Sequence, residues 1–211
     1  MNVYKIYNWF GRRFRPARMR RFLTTFPATT YKRVIDFGGG GGIWDMVEHD
    51  YDVTLLNVQA SIPHSKYKLI VGDACDAPQL PSQSFDVAFS NSTIEHVGDI
   101  ARQRRFAQEM QRVGRTIYCQ TPNKWFPIEP HFMLPFVHWF LPGFFRNRFC
   151  IRYLTPLGLL RRPPREVIDS YLSKTRLLTR KELQEIFPGC EIWEERFLGW
   201  AKSFAVVKRA G

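Results

Sequence analysis

Cysteine is sparse: Cys75, Cys119, Cys150 and Cys190 are the only four in 211 residues. They are far apart and form no C-x-x-C pair. That argues against a zinc site or a disulfide framework and suits a reducing cytoplasm. Long hydrophobic runs are missing. The greasiest stretch, residues 132–145, is too short to span a bilayer, and prolines interrupt it. The start lacks the unbroken apolar core of a signal peptide. No acidic residue occurs in the first 26, which carry seven basic ones. Internal repeats and low-complexity tracts are absent too.

What is present fits one domain with room for an insertion. Hydrophobic residues make up 45% of the chain, enough for a sizeable core. The net charge of +12 is uneven. Residues 122–180 carry ten basic and three acidic side chains, whereas residues 27–121 carry nine and eleven. The positive charge therefore lies outside the central block and concerns what the flanking segments touch.

Short apolar runs at 32–37, 52–58, 67–71, 85–90 and 115–120 read as strands. Residues 43–50 show helical spacing, with Ile43, Met46 and Val47 on one face. Residues 99–113 read as a helix with Asp99 as N-cap, and Thr179 to Glu182 match a capping box. Residues 191–197 and 203–209 read as an antiparallel strand pair. Alternation of this kind predicts an α/β fold, a doubly wound and mostly parallel sheet with helices on both faces. Residues 122–178 break the rhythm with prolines and aromatics and are expected to form a helical insertion or lid after the fifth strand. Residues 1–26 are expected to be a basic amphipathic segment ahead of the domain at 27–211.

Five glycines, Gly38 to Gly42, follow the first strand. Such a turn lets a ligand approach bare main chain beyond the carboxyl ends of the strands, here at the start of the expected helix. The dinucleotide pattern G-x-G-x-x-G fails, because its third glycine would fall on Ile43 or Trp44. No Walker lysine follows either.

The pattern that fits is D-x-G-x-G-x-G, at Asp36, Gly38, Gly40 and Gly42. With "VGDACDAPQLPSQSFDVAFSNSTIEHV" at 71–97, the chain resembles class I S-adenosylmethionine-dependent methyltransferases of the small bacterial, type 11-like kind. The resemblance covers most of residues 32–121. It implies a Rossmann-like seven-stranded sheet and S-adenosyl-L-methionine as cofactor. It also implies that the glycines pack on the methionine and ribose part, that Asp73, Ala74 and Cys75 flank adenine, and that Ser90 and Asn91 face the sulfonium. The family usually has an acid at the end of the second strand for the ribose hydroxyls. Here the matching residue is Asn57, which lacks the charge of a strong acceptor.

The cofactor carries the hard chemistry, so the protein mainly aligns nucleophile and methyl. A base is needed only for a protonated nucleophile such as a hydroxyl. His96 is one candidate, with a pocket-building role as its alternative. His131 and Glu129 are others, in the segment expected to cover the same opening. Ser90-Asn91-Ser92-Thr93 lacks the Asn/Asp-Pro-Pro-aromatic motif of enzymes that methylate amino groups of nucleic acids. O-methylation, or methylation of an activated carbon, is therefore preferred. No metal is called for.

The aromatic and basic N-terminal segment suits an anionic membrane surface. A small-molecule, saccharide or lipid-linked acceptor is expected, for a cytoplasmic protein peripheral to the inner face of the membrane. The rivals are an RNA methyltransferase and a non-catalytic S-adenosyl-binding module.

Overall fold

The computed structural model describes residues 3–60, 62, 66–127 and 175–209, with side chains from residue 14 onward. Seven strands form one sheet: β1 (Arg33–Phe37), β2 (Asp52–Asn57), β3 (Lys68–Val71), β4 (Phe85–Asn91), β5 (Gly114–Pro122), β6 (Glu191–Phe197) and β7 (Trp200–Lys208). Their order is β3-β2-β1-β4-β5-β7-β6. The first five run parallel, while β7 is antiparallel to both β5 and β6. This is the doubly wound, mostly parallel architecture expected. β1 lies between β2 and β4, so the winding reverses at the carboxyl ends of β1 and β4. A crevice forms at such a switch point.

Helix α1 (Val3–Thr25) covers one face and helices α2 (Ile100–Val113) and α3 (Arg180–Ile186) cover the other. On the first face Met19, Phe22 and Phe26, at helical spacing, are fully buried with Val34, Trp44, Leu55 and Phe89. On the second, Ile35, Leu56, Ala88 and Ile117 meet Phe106 and Met110 of α2 and Leu183 of α3. Neighbouring strand residues thus serve opposite cores, as the two-residue period requires. The last turns of the N-terminal segment are therefore integral to the domain. Phe22 alone contacts the rings of Phe26, Trp44, Tyr51, Phe89 and Tyr118, at 5.0–5.6 Å between centroids.

Both expected helix caps are present. The Asp99 carboxylate accepts from Arg102 N at 2.9 Å. Thr179 Oγ1 accepts from Glu182 N at 3.2 Å, and Thr179 N donates to Glu182 Oε2 at 2.8 Å. The helix expected at 43–50 does not form. Only a short 3-10 turn, Trp44–Met46, occurs, and Val47 is already extended (φ −143°, ψ 146°). The physical reason is Trp44. Its indole is fully buried against Phe22 and Phe89, and its Nε1 donates to Asp36 Oδ2 at 2.9 Å. One anchored side chain draws the segment inward and overrides a weak three-residue periodicity. With it goes the expectation that the glycines meet the positive end of a helix. Most of the expected insertion after β5, residues 128–174, lies outside the described residues.

Candidate active site

β1 ends at Phe37, and Gly38 N still bonds Leu56 O at 2.7 Å before the chain turns. Gly38 (φ +80°) and Gly41 (φ +85°) adopt the left-handed backbone that strongly favours glycine. The glycines also differ in what surrounds them. A Cβ on Gly39 would overlap the Asp36 carboxyl, and one on Gly38 would overlap the Thr93 side chain. A Cβ on Gly40 or Gly42 would meet nothing within 4 Å among the described residues. The fold itself demands the first pair; the second pair faces open space.

That space is a cleft of about 300 Å³, bordered by Arg15, Asp36, the glycine turn, Met46 and the Asn91–Thr93 segment, among others. It lies at the switch point, between the ends of β1 and β4. Asp36 forms its floor. The side chain is fully buried, Oδ2 is held by Trp44, and Oδ1 has no hydrogen-bond partner among the described residues. Burial raises the Asp36 carboxyl to about 7, although the Trp44 bond pulls the other way. Arg15 of α1 also lines the cleft and brings a cation to it. The cleft therefore combines bare main chain, an unpaired carboxyl oxygen and a guanidinium.

The wall at the end of β4 is rigidly supported. Arg18 is buried and donates through Nη1 to Asn91 Oδ1 and to Gln120 Oε1 (2.9 Å). Ser92, at φ +55°, donates to the same Gln120 oxygen at 2.9 Å. Ser90 is buried and donates to Phe37 O at 3.1 Å, so its hydroxyl ties β4 to β1.

Residues 36–116 match the family model described as a methyltransferase domain. Over that segment, from the end of β1 into β5, the chain is similar to a methyltransferase domain. Three solved structures share this fold. An S-adenosylmethionine-dependent methyltransferase from Archaeoglobus fulgidus is 14% identical, with 93% of each chain covered and a TM-score of 0.61. The N-terminal domain of EvdMO1, solved with SAH bound, is 16% identical, covering 92% of this chain and 79% of its own, at 0.54. The 1,6-didemethyltoxoflavin-N1-methyltransferase of Burkholderia thailandensis is 11% identical, covering 93% and 76%, also at 0.54. Likeness at such identities shows the fold alone. A search of curated protein sequences finds no match to this chain.

The structure places the other expected residues as follows. Asp36, Gly38, Gly40, Gly42 and Asn91 border the cleft, whereas Ser90 is not among its lining residues and binds Phe37 O. Asp73 stands past β3 at the same sheet edge, outside the cleft lining. Its Oδ2 accepts from Arg102 Nη2 at 2.7 Å and its Oδ1 from Cys75 N at 2.9 Å. Burial works against its ionisation, but Arg102 and the Cys75 N–H outweigh it and hold the carboxyl below its usual range. Ala74 and Cys75 are buried, and desolvation pushes the Cys75 thiol up to about 11, so it is a packing group. Asn57 binds the glycine turn. His96 is not among the cleft-lining residues; its Nδ1 lies 3.1 Å from Thr175 Oγ1. His131 and Glu129 lie outside the described residues.

Sequence reasoning placed the turn after Asn91, now Ser92 and Thr93, at the site but did not assign Arg15 and Arg18 to it. A signal for the arginines existed. Arg15 and Arg18 sit three apart beside the apolar stripe Met19–Phe22–Phe26, so they border a buried face rather than a solvated one.

Proposed function

We propose that this enzyme binds S-adenosyl-L-methionine at the glycine turn and methylates an oxygen of a saccharide, lipid-linked or other small-molecule acceptor. The observation carrying the cofactor reading is the open space above Gly40 and Gly42. Among the described residues no atom explains glycine there, whereas a ligand lying on the main chain would. The neighbouring charges suit its amino-acid end: Asp36 Oδ1 suits an ammonium and Arg15 a carboxylate. Asp73 suits the adenine amino group with the acceptor capacity that Arg102 and Cys75 leave. Ala74 and Cys75 suit the adjoining ring.

When bound, the sulfonium supplies an activated methyl group, so a C–O bond forms as the C–S bond breaks. The protein's share is alignment, which contributes roughly 7–11 kcal/mol in ideal intramolecular cases. Asn91 and Ser92, held by Arg18 and Gln120, give the cleft a fixed wall against which an acceptor can be oriented. A hydroxyl nucleophile must also lose its proton, for which His96, His131 and Glu129 are the candidates. A membrane-facing role for the basic N-terminal segment supports a lipid-linked or anionic acceptor. Among the described residues no helix is long and apolar enough to cross a membrane.

Calorimetry with S-adenosylhomocysteine tests the first step, and absence of binding would overturn it. Transfer of labelled methyl to lipid, saccharide and RNA fractions tests the second. Label in lipid or saccharide is expected; label confined to RNA would overturn the acceptor class.

A further inference from the structure

Asn57 ends β2, where the family resemblance leads one to expect a carboxylate that accepts from both ribose hydroxyls. We propose instead that Asn57 staples the glycine turn shut, and that this protein holds its nucleoside without a two-hydroxyl clamp at that position. The inference rests on the cofactor reading above and adds to it a positioning residue whose chemistry requires an amide.

The Nδ2 group has two hydrogens and two partners: Gly39 O at 3.1 Å and Gly38 O at 3.3 Å. Oδ1 accepts from Gln59 N at 3.0 Å. That pattern fixes the amide orientation. Turned over, an oxygen would face two carbonyl oxygens and an NH₂ would face an N–H. Both donors are therefore spent on the turn, and one acceptor site remains on Oδ1. A single site cannot accept from two hydroxyls.

The staple acts where the chain leaves the sheet. Gly38 N is held by Leu56 O on the adjoining strand, and the next two carbonyls are held by Asn57. Together they set the path by which Gly40–Gly42 reaches the cleft. An aspartate at 57 has no hydrogens to offer and would set a charged oxygen against the two carbonyls. The residue that strengthens a ribose clamp in the family would loosen the turn here.

The two readings predict opposite outcomes for Asn57→Asp. Wild type, Asn57→Asp and Asn57→Ala would be compared by calorimetry with S-adenosylhomocysteine. Amide hydrogen exchange at residues 38–42 would be followed without ligand. The staple predicts faster exchange in both variants, and affinity lowered about tenfold or more in Asn57→Asp, the size expected for two lost hydrogen bonds. Tighter binding by Asn57→Asp than by wild type, or unchanged exchange in Asn57→Ala, would overturn it. If Asn57→Asp does not fold, Asn57→Ala carries both readouts. Failure of the wild type to bind would sink the cofactor reading alone, because ligand-free exchange still reports the staple.

Discussion

Arg18 lays its guanidinium along the Glu195 carboxylate, with Nε to Oε1 and Nη2 to Oε2 both at 2.6 Å. The pair joins α1 to β6 across 177 positions of sequence, and both side chains are largely buried. Ser203 also donates to Glu195 Oε2, and Lys202 approaches that oxygen at 3.8 Å. Burial opposes the Glu195 charge, yet Arg18 and Ser203 hold its carboxyl below the usual range. The ion pair therefore exists as charges, inside the structure.

Glu195→Ala should leave Arg18 buried and unpaired. Removing one partner of such a pair typically costs about 3–5 kcal/mol, far more than a surface ion pair contributes. Urea unfolding should show that loss. The double variant Arg18→Met with Glu195→Leu should be milder for stability, because no charge is stranded. It should still weaken methyl transfer, since Asn91 loses its Nη1 partner. A single variant as stable as wild type would refute this account of the pair.

Phe22 contributes through packing alone. It fills the space between α1 and the sheet, among five aromatic rings. Phe22→Ala should cost about 3–5 kcal/mol in urea unfolding. Amide exchange along α1 should rise more than exchange in β5. A loss below about 1 kcal/mol would mean that α1 is peripheral to folding.

The five glycines should separate by experiment. Gly39→Ala forces a methyl group onto the Asp36 carboxyl and should destabilise the protein without any ligand. Gly40→Ala and Gly42→Ala meet no atom of the described residues. They should leave the melting temperature unchanged or slightly raised, since a stiffer unfolded chain contributes about 0.4–1 kcal/mol. Both should bind S-adenosylhomocysteine poorly. Unimpaired binding by both variants would remove the main support for a ligand at this turn.

Much of this was legible in the sequence because period and spacing carried it. The five parallel strands were marked by short apolar runs, and Asp99 and Thr179 by cap chemistry that acts within three residues. The glycine turn was legible as a motif, but its division of labour was not. That Gly39 shelters Asp36 while Gly40 faces a cleft depends on where two strands bring their ends. Trp44 shows the opposite failure: its local pattern favoured helix, and a buried indole overruled it. Arg18 was hidden for a further reason. Its partners at 91, 120 and 195 belong to three strands, and a run of arginines in sequence looks the same whether it meets water or a carboxylate.

Asp36 should give the protein a measurable pH dependence. Burial raises its folded carboxyl from 3.8 to about 7. Below pH 3.8 both folded and unfolded chains hold the proton. Above it the unfolded chain releases the proton while the folded one keeps it. The folded state then binds more protons, so this group's contribution to stability falls as pH rises from 3.8 towards 7 and is flat beyond. Asp36→Asn should remove that slope, because its amide oxygen can still accept from Trp44. A ligand ammonium entering the cleft would favour the ionised carboxylate. Binding of S-adenosylhomocysteine should therefore release a proton below pH 7 and tighten as pH rises through that value. Calorimetry in buffers of different ionisation enthalpy measures the released proton directly. The Asp36→Asn variant separates Asp36 from His49, whose ring lies 5.5 Å from Trp44. If the variant keeps both the stability slope and the proton release, Asp36 is not the group that titrates.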